Sequence, residues 1–486
     1  MTIKNPRKKV QNLKNTKDAR TPVLSAEVVS HKSTAIAAQP ATTPQDMPKL
    51  EQVAPPVTMI TNQAGYVFTG STNPTKRFAE QLIRDRPDID PSHIYKCLID
   101  HKKYTAKYSD VLKNEMHAAD HYFTYGFKES RELIRPGLVR HSQTFKNTHE
   151  ATLFLSSAPR RDGSFVYRCL FQSQKISKNL VYHGQTEIHK MVRAIFNCKE
   201  LIFSRPEHNE MSLYLIELAK NIGVKVTLDY DDLLLPEHCE YLGHVRSSDG
   251  KTVEHARKNI MGKSAFLLYA DEFRCSTPLI AQAMAHLSKP IEVHRNQIVS
   301  AMVLPKQQCA EKLKNITSRK VKILYLSGTA THKKDFSIAQ GPLLKLAQEY
   351  PDRFEITFLG NTGTHSNPIE LFNTKVTVIS RVNFNEMLSV ISEHDIALAP
   401  LEDTIFNNAK SNIKFIECGS QGVPVIASPR DEFVEAVTHG VNGWLCESQA
   451  EWYSTLEKLI KDPAVIARAS LKAREAVLKH HVVSAQ

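Results

Sequence analysis

The sequence predicts an α/β protein built on two parallel, doubly wound sheets. From about residue 150, short apolar segments alternate with segments of helical period, and a second alternating set begins near residue 321. Such alternation is typical of parallel strands joined by right-handed helical crossovers. The chain has 486 residues, which exceeds what one hydrophobic core usually supports. We therefore expect two such domains, joined by the polar stretch 305–319 and facing a common cleft.

Six strands are predicted in each domain. The first-domain candidates are ATLFLSS, LVYHG, ELIFSR, VKVTLDY, SAFLLYA and PIEVHR, and the second-domain candidates are VKILYLS, RFEITFLG, KVTVIS, DIALAPL, VPVIAS and GWLCE. Segments between them, such as TEIHKMVRAIFNC and GPLLKLAQEY, have helical periodicity. Ligands of open parallel sheets bind beyond the carboxyl ends of the strands, so we expect the functional residues in the loops after strands.

We predict four regions along the chain: a disordered basic tail over 1–56, a small helical module over 57–145, and the two sheet domains over 146–304 and 305–486. The tail is rich in Lys, Thr, Ala, Pro and Gln, so it cannot bury enough apolar surface to offset its ordering entropy. The composition shift also predicts that a chain starting near Asn147 folds without the module. Within the module, helical spacing predicts a hairpin with a core of Tyr104, Tyr108, Val111, Leu112, Tyr122, Phe123 and Phe127.

The composition excludes several classes of protein. The net charge is +12, but a disproportionate share of the positive excess lies in the first fifty residues, where no interleaved basic and aromatic motif occurs. We expect no nucleic-acid partner, since a basic tail suits solubility or contact with an anionic membrane surface. No apolar run approaches the roughly 18–20 residues of a membrane helix, and the start lacks a secretory signal. The eight cysteines include no C-x-x-C pair, so neither zinc nor redox chemistry is indicated. A cytoplasmic protein is expected.

The strongest functional signal is the segment AKSNIKFIECGSQGVPVIAS, which follows the predicted strand DIALAPL. Lys410, Lys414 and Glu417 are spaced four and three residues apart, so a helix places them on one face. Ser411 or Asn412 would begin that helix, whose free amides and dipole attract anions. Two cations at a helix N-terminus suit a diphosphate, and a carboxylate nearby suits a vicinal diol such as a ribose. The alternative is an ordinary Lys/Glu ladder on a helix surface.

A second loop, SGTATHKKDF, follows the first strand of the second domain. Its small residues Ser327, Gly328 and Thr329 let backbone amides approach a phosphate, and His332 and Lys333 offer further contacts. Turns of this composition are common, so the loop is a weak signal by itself.

A third candidate is the carboxylate cluster Asp229, Asp231 and Asp232, which ends the predicted strand VKVTLDY. Clustered carboxylates repel one another, so the fold must compensate them with cations or hydrogen-bond donors. A metal-binding Asp-x-Asp and a simple capped loop are alternatives that the residues leave open.

Together these motifs resemble those of the family-4-like (group 1) retaining glycosyltransferases of GT-B fold, found in bacterial surface-polysaccharide clusters. The stretch from Asn407 to Glu417 fits a sub-group pattern, Asn-x-x-Lys-Ser-x-x-Lys-x-x-Glu. Many members carry a further Glu eight residues before Glu417, where this sequence has Ala409. The other matching positions are Arg168, Arg205, Asp271, Ser276, Thr277, Arg295 and Asn296, and in the module Asp110, Val111, His121, Tyr122, Tyr125, Gly126, Glu129, Arg131 and Pro136.

The resemblance implies two facing Rossmann-like domains, with the acceptor site mainly in the first and the nucleotide-sugar site in the second. It implies transfer of a sugar from a nucleotide-sugar donor to a glycan or lipid-linked acceptor, with retention of configuration and without a metal or a cofactor. It assigns Glu417 to the ribose hydroxyls. The expected donor-site residues are Ser327, Gly328, Thr329, Lys333, Lys410, Ser411, Lys414 and Glu417, and the expected catalytic residues are Asp229, Asp231, Asp232 and His332.

Two other functions stay open on the sequence. A nucleotide-sugar epimerase on the same scaffold would turn over donor without an acceptor. A non-catalytic scaffold of a glycan-assembly complex is favoured by Ala409 and by the appended module. The expected partners are a nucleotide sugar and an acceptor, with peripheral contact at the inner membrane face or with glycan-assembly proteins.

Overall fold

The computed structural model describes residues 76–113, 116–140, 144–242, 251–327, 333–360 and 374–483. The predicted disordered tail and the first part of the helical module lie outside these ranges. No helix among the described residues is long and apolar enough to cross a membrane. All eight cysteines are buried and unpaired, as expected of small thiols within apolar segments.

The described part of the module is a cluster of five short helices rather than a hairpin. Asp90 and Asp100 each accept hydrogen bonds from backbone amides at a helix N-terminus, so the chain restarts a helix at short intervals. Tyr104, Val111 and Tyr122 are buried as expected, whereas Leu112 and Phe127 are 56% and 41% exposed. The helices are α1 (Lys76–Asp85), α2 (Pro91–Leu98), α3 (His101–Lys107), α4 (Asp110–Lys113) and α5 (Ala118–His121), followed by a π-helical turn (Tyr122–Gly126).

The residues that carry the module's motif hold its own fold together. Arg131 donates to both oxygens of Asp110, at 3.0 and 2.8 Å, and its guanidinium lies 4.9 Å from the centre of the Tyr108 ring. A Cβ atom at Gly126 would lie 2.5 Å from the Tyr104 hydroxyl, which leaves no room for a side chain there. We therefore interpret the motif as structural.

The module and the first domain share one hydrophobic core. His93 Nε2 is 2.9 Å from the carbonyl oxygen of Asn221, and the Tyr214 hydroxyl donates to the carbonyl of Leu98 over 3.0 Å. Arg135 pairs with the nearly buried carboxylate of Glu217 at 2.6 Å. The structure thus argues against the expectation that the chain folds without the module, because removing the module would uncover a large apolar surface of the first domain.

The first domain contains a six-stranded parallel sheet in the order β2-β1-β3-β4-β5-β6. One predicted strand is wrong: SAFLLYA forms a 3-10 helical segment, Ala265–Tyr269, and Leu268 within it is 85% exposed. The strand lies just beyond it, where Glu272 and Arg274 interrupt the apolar pattern that the prediction relied on. The strands are β1 (Thr152–Ser156), β2 (Asn179–His183), β3 (Glu200–Ser204), β4 (Lys225–Tyr230), β5 (Glu272–Cys275) and β6 (Ile291–Val293).

Helices connect these strands, and the first of them is irregular. It contains a π-helical turn, Val166–Leu170, between two short α-helical segments. This turn follows β1 and the short helix Gly163–Phe165 and, as shown below, reaches the cleft. The helices are α6 (Gly163–Phe165), α7 (Phe171–Ser173), α8 (Ile188–Phe196), α9 (Glu210–Asn221), α10 (Lys251–Ser264) and α11 (Pro278–Met284).

The second domain contains a parallel sheet in the order β12-β11-β10-β7-β8-β9, which is the strand order of a Rossmann fold. All six predicted strands occur here. They are β7 (Val321–Ser327), β8 (Phe354–Gly360), β9 (Val376–Ile379), β10 (Ile396–Ala399), β11 (Val425–Ala427) and β12 (Gly443–Leu445). The helices are α12 (Lys306–Leu313), α13 (Lys333–Glu349), α14 (Phe384–Ser392), α15 (Ile405–Asn408), α16 (Ile413–Ser420), α17 (Asp431–Ala436), α18 (Gln449–Lys461) and α19 (Ala464–His480).

The end of the chain returns to the junction between the domains. A parallel bridge joins Ile298 to Val482, and the imidazole of His481 stacks edge-on against Phe415 of α16 at 5.8 Å. Arg295 of the first domain pairs with Glu432 of α17, whose side chain is buried. The two sheets therefore face each other across a cleft whose base is fixed by several contacts.

Candidate functional site

The cleft between the domains has a volume of about 640 Å³ and is lined by both of them. In each sheet it lies beyond the carboxyl ends of the strands, where the strand order reverses: β1 beside β3 in the first, and β7 beside β10 in the second. Polar side chains converge there from both sides. They include Tyr167, Arg205, Asp231 and Asp232 from the first domain and Ser327, Asp335, Asn407, Lys410, Ser411, Lys414 and Glu417 from the second.

Helix α16 brings one of its ends to the cleft. Asn412 occupies the N-cap position, but its side chain makes no cap hydrogen bond and instead donates to the carbonyl of Glu432 over 3.2 Å. The amides of the first turn are thus left without a side-chain cap, as an anion site requires. At the other end, Gly422 adopts a φ of 64° and turns the chain toward β11. Lys410 lies before the helix rather than on its face, yet it lines the same cleft.

The two lysines present positive charge to the cleft. Lys410 Nζ lies 4.6 Å from the centre of the Phe406 ring and 4.0 Å from Oδ1 of Asp232. Lys414 Nζ lies 5.4 Å from the centre of the Tyr325 ring, and no carboxylate of the described residues is within ion-pair distance of it. Burial lowers the pKa of Lys414, and the nearby carboxylate of Asp335 partly offsets this effect. An unpaired ammonium in a half-buried position favours an anionic ligand.

Glu417 is a buried carboxylate of the cleft, with 8% of the residue exposed. Its Oε1 accepts a hydrogen bond of 3.2 Å from the hydroxyl of Tyr167, which belongs to the other domain. Burial raises the pKa of Glu417 to about 7, while the Tyr167 hydrogen bond and the charge of Lys414 act in the opposite direction. A perturbed carboxylate inside a polar cleft is a typical mark of a functional site.

The remaining motif residues of the second domain hold the loop before α16 in place. Asn407 Nδ2 donates to Oδ1 of Asp335 over 2.9 Å, and the same oxygen accepts from the amide of Glu402 over 2.9 Å. Ser411 Oγ accepts from Asn296 Nδ2 of the first domain over 2.9 Å. Ser411 is therefore a junction residue as well as a lining residue.

The predicted phosphate loop is only partly described. Ser327 ends β7, is 2% exposed and lines the cleft. Gly328, Thr329 and His332 lie outside the described residues, and of Lys333 only the backbone is described, as the first residue of α13. For these four residues the assignment to the donor phosphates or to catalysis stays a prediction.

The three aspartates are divided between two environments. Asp231 and Asp232 line the cleft, and both pair with the guanidinium of Arg205. Burial raises the pKa of Asp231, and the charge of Arg205 opposes the shift. Arg205 has a φ of 45°, a backbone conformation that is uncommon outside glycine and concentrates at functional sites.

Asp229, by contrast, does not reach the cleft, which differs from the expectation of a catalytic role. It is fully buried and pairs with the equally buried Arg168, whose Nε donates to Oδ1 over 3.0 Å. The cause is strand alternation, since Asp229 lies within β4 and its side chain turns toward the helix above the sheet. Arg168 also donates to Asn296 Oδ1 over 3.0 Å, so Asp229 helps to fix the base of the cleft. Among the described residues no group of three His, Cys, Asp or Glu side chains is placed to hold a metal ion.

Tyr167 and Asp335 were not among the predicted site residues. Tyr167 lies in the aromatic segment FVYRCLF, which is indistinguishable in sequence from ordinary core packing. Asp335 lies directly after the lysines of SGTATHKKDF. Its position in the first turn of a helix was the available sequence signal for a site residue.

Two facing Rossmann-like domains with a shared polar cleft define the GT-B fold, so the fold prediction is confirmed. Residues 320–462 match the family model described as "Glycosyl transferases group 1". The second domain is thus similar to the group 1 glycosyltransferases over these residues. A comparison with curated protein sequences found no match.

Several solved structures are similar to this chain. HepE of Anabaena in complex with UDP-glucose is 14% identical, with 69% of this chain and 96% of that chain covered and a TM-score of 0.47. Sucrose-phosphate synthase of Thermosynechococcus elongatus is 12% identical, with coverage of 69% and 95% and a TM-score of 0.48. A glycosyltransferase of Rickettsia africae is 12% identical, with coverage of 69% and 95% and a TM-score of 0.46.

Proposed function

We propose that this protein transfers a sugar from a nucleotide-sugar donor to a glycan or lipid-linked acceptor in bacterial surface-polysaccharide synthesis. One observation carries the proposal. Lys410, Lys414 and Glu417 surround the uncapped start of α16, and they line one cleft with the Arg205 cluster of the other domain. This arrangement offers cations to a diphosphate and a carboxylate to a diol within the same cavity.

In this proposal the second domain binds the donor. Lys410, Lys414 and the amides of α16 hold the diphosphate, together with Ser327 and the loop after it. Glu417 accepts hydrogen bonds from the ribose hydroxyls, since a carboxylate has acceptor sites for about four such bonds. The sugar then projects from the diphosphate toward Asp231, Asp232 and Arg205.

The chemistry follows from where charge develops. Glycosyl transfer passes through an oxocarbenium-like state while negative charge builds on the leaving diphosphate, so fixed cations and amides at the diphosphate stabilise that state. We propose that these groups replace a metal ion. Retention of anomeric configuration is proposed from the family resemblance alone. Asp231 and Asp232 remain candidates for contacts to the reacting sugar or the acceptor, whereas Asp229 acts through Arg168.

A non-catalytic scaffold is the second candidate, and Ala409 favours it. Its side chain is buried and its carbonyl accepts a 2.9 Å hydrogen bond from Thr277 of the first domain. This tight junction has no space prepared for the additional Glu of many relatives, so sugar contacts must come from elsewhere.

The deciding experiment combines binding with turnover. UDP, GDP and ADP, and then the sugar nucleotides of the best binder, are screened for thermal stabilisation of the full chain, since a ligand that binds the native state raises its melting temperature. Release of nucleoside diphosphate is then followed with and without a glycan or lipid-linked acceptor. Acceptor-dependent release supports the proposal. Turnover without any acceptor, with an isomerised sugar nucleotide, indicates an epimerase, and binding without turnover indicates a scaffold.

A further inference from the structure

A single hydrogen bond crosses the cleft to the carboxylate of Glu417. Its donor, Tyr167, lies in the π-helical turn Val166–Leu170 of the first domain and is 1% exposed. The hydroxyl donates to Oε1 of Glu417 over 3.2 Å. π-Helical turns within α-helices are rare and occur frequently at functional sites, so the placement of this tyrosine indicates a role.

The hydroxyl of Tyr167 is aimed by its surroundings. Its ring packs edge-on against Phe171 of the first domain and against Phe384 of the second, with both centroid distances at 5.5 Å. The next residue, Arg168, is tied to Asp229 and Asn296 beneath the turn. The ring therefore has one orientation, and that orientation delivers the hydroxyl to the carboxylate.

We propose that Tyr167 is a positioning residue for Glu417, an inference that rests on the proposed donor site. Tyr167 holds the carboxylate charged and turned toward the donor ribose while the domains are closed. One oxygen of the carboxylate is occupied by Tyr167. The remaining acceptor positions stay open to the ribose hydroxyls.

The charge of Glu417 depends on its few neighbours. Burial raises its pKa, and the Tyr167 hydrogen bond and Lys414 lower it, to a net value of about 7. Among the described residues, the groups that face it are Lys414 and Cys418 on its own helix and Tyr167 from the first domain. Removal of the hydroxyl takes away a lowering effect, so the pKa rises and less of the carboxylate is charged at neutral pH. Because ribose binding uses the charged form, affinity falls toward acid, and the fall moves to higher pH without Tyr167.

Since Tyr167 and Glu417 belong to different domains, their hydrogen bond requires the closed arrangement of the two domains seen in this structure. The proposed ribose site is therefore complete only when both domains contribute to it. A donor that binds the charged carboxylate favours the closed arrangement, in which the first domain places its own residues beside the sugar.

The test is Tyr167→Phe, which keeps the ring packing and removes only the hydroxyl. Tyr214→Phe is the matched control, since it too removes one buried tyrosine hydroxyl. That hydroxyl donates to the carbonyl of Leu98, far from the cleft. The probes are UDP, or GDP or ADP if one of these binds better, and the 2′,3′-dideoxy form of the same nucleotide. Calorimetric titrations cover about pH 6 to pH 9. This range lies on both sides of the pKa of about 7 for Glu417 and begins near the second ionisation of a phosphate, at about pH 6.

The expected loss for Tyr167→Phe at pH 7 is at most roughly ten- to a hundred-and-fifty-fold with the ribose nucleotide, as for one hydrogen bond to a charged acceptor. The loss shrinks toward alkaline pH and is nearly absent for the dideoxy form. Tyr214→Phe binds like the wild type. Any pH dependence that persists in Glu417→Gln comes from the phosphates or other groups and is subtracted.

Three results would overturn the inference while the donor site stands: unchanged affinity of Tyr167→Phe, an equal loss for both nucleotide forms at every pH, or a gain in affinity. The last would mean that the hydroxyl competes with ribose. Absence of nucleotide binding by the wild type, or wild-type affinity of Glu417→Gln, overturns the donor site and the inference together.

Discussion

Replacement of Glu417 by alanine tests the donor site at its most specific contact. If the carboxylate accepts hydrogen bonds from the ribose hydroxyls, each charge-assisted bond contributes about 1.5–3 kcal/mol, so nucleotide affinity should fall roughly ten- to several-hundred-fold. In the proposed donor site, Lys414 contacts the phosphates. Lys414→Ala should therefore weaken the nucleoside diphosphate more than the free nucleoside, whereas Glu417→Ala should weaken both.

Calorimetric titration of both ligands against both variants separates these roles. Glu475→Ala is the matched control, since its carboxylate is exposed on α19 and pairs only with Lys472 among the described residues. Glu417→Ala also leaves the Tyr167 hydroxyl without its acceptor, so unfolding is measured for each variant to exclude a folding defect. Wild-type affinity in Glu417→Ala would refute the reasoning, because no other described carboxylate on this face of α16 lies in the cleft.

Three further outcomes are expected. A chain starting near Asn147 should be insoluble or should melt well below the full chain, as judged by thermal unfolding, because the first domain would lose the shared core contributed by Leu82, Ile94 and Tyr104. EDTA should leave turnover largely intact, and restoration of a lost activity by Mg²⁺ or Mn²⁺ would reassign Asp231 and Asp232 as metal ligands. Asp229→Ala should destabilise the fold by about 3–5 kcal/mol, since it leaves the buried Arg168 guanidinium uncompensated, and denaturant unfolding that shows a loss below about 1 kcal/mol would contradict this.

The second domain was largely predictable from the sequence. Its central strands are buried on both faces, so they appear in the sequence as short apolar runs. Lys410, Lys414 and Glu417 are spaced four and three residues apart at and within α16. The first domain was less predictable from the sequence. β5 carries Glu272 and Arg274, whose charges are offset by contacts that only the folded sheet provides: Glu272 pairs with Lys225, and Arg274 lies beneath the π-helical turn near Asp229. A pattern of apolar residues cannot locate such a strand.

The aspartate cluster shows the same limit of prediction from sequence patterns. Asp229, Asp231 and Asp232 lie within four consecutive positions, yet one is buried under the cleft and two line it. Spacing alone predicts a common site. The separation arises because Asp229 is still within β4, whereas the other two follow the strand and turn toward Arg205.

The residues around the proposed donor site come from both domains. The family match covers 320–462 and includes Lys410, Lys414 and Glu417. Two of them, Lys410 and Glu417, have a partner from the first domain. Asp232 lies 4.0 Å from Lys410, and Tyr167 donates to Glu417. At that separation in a solvated cleft, the Asp232–Lys410 attraction amounts to only about 1–4 kcal/mol, which a doubly charged diphosphate can exceed. An incoming donor would therefore draw Lys410 from Asp232 toward its phosphates and leave Asp232 to Arg205, while Tyr167 keeps its hold on Glu417. The two sides of the cleft thus respond differently to the same ligand, one exchanging a partner and the other retaining it.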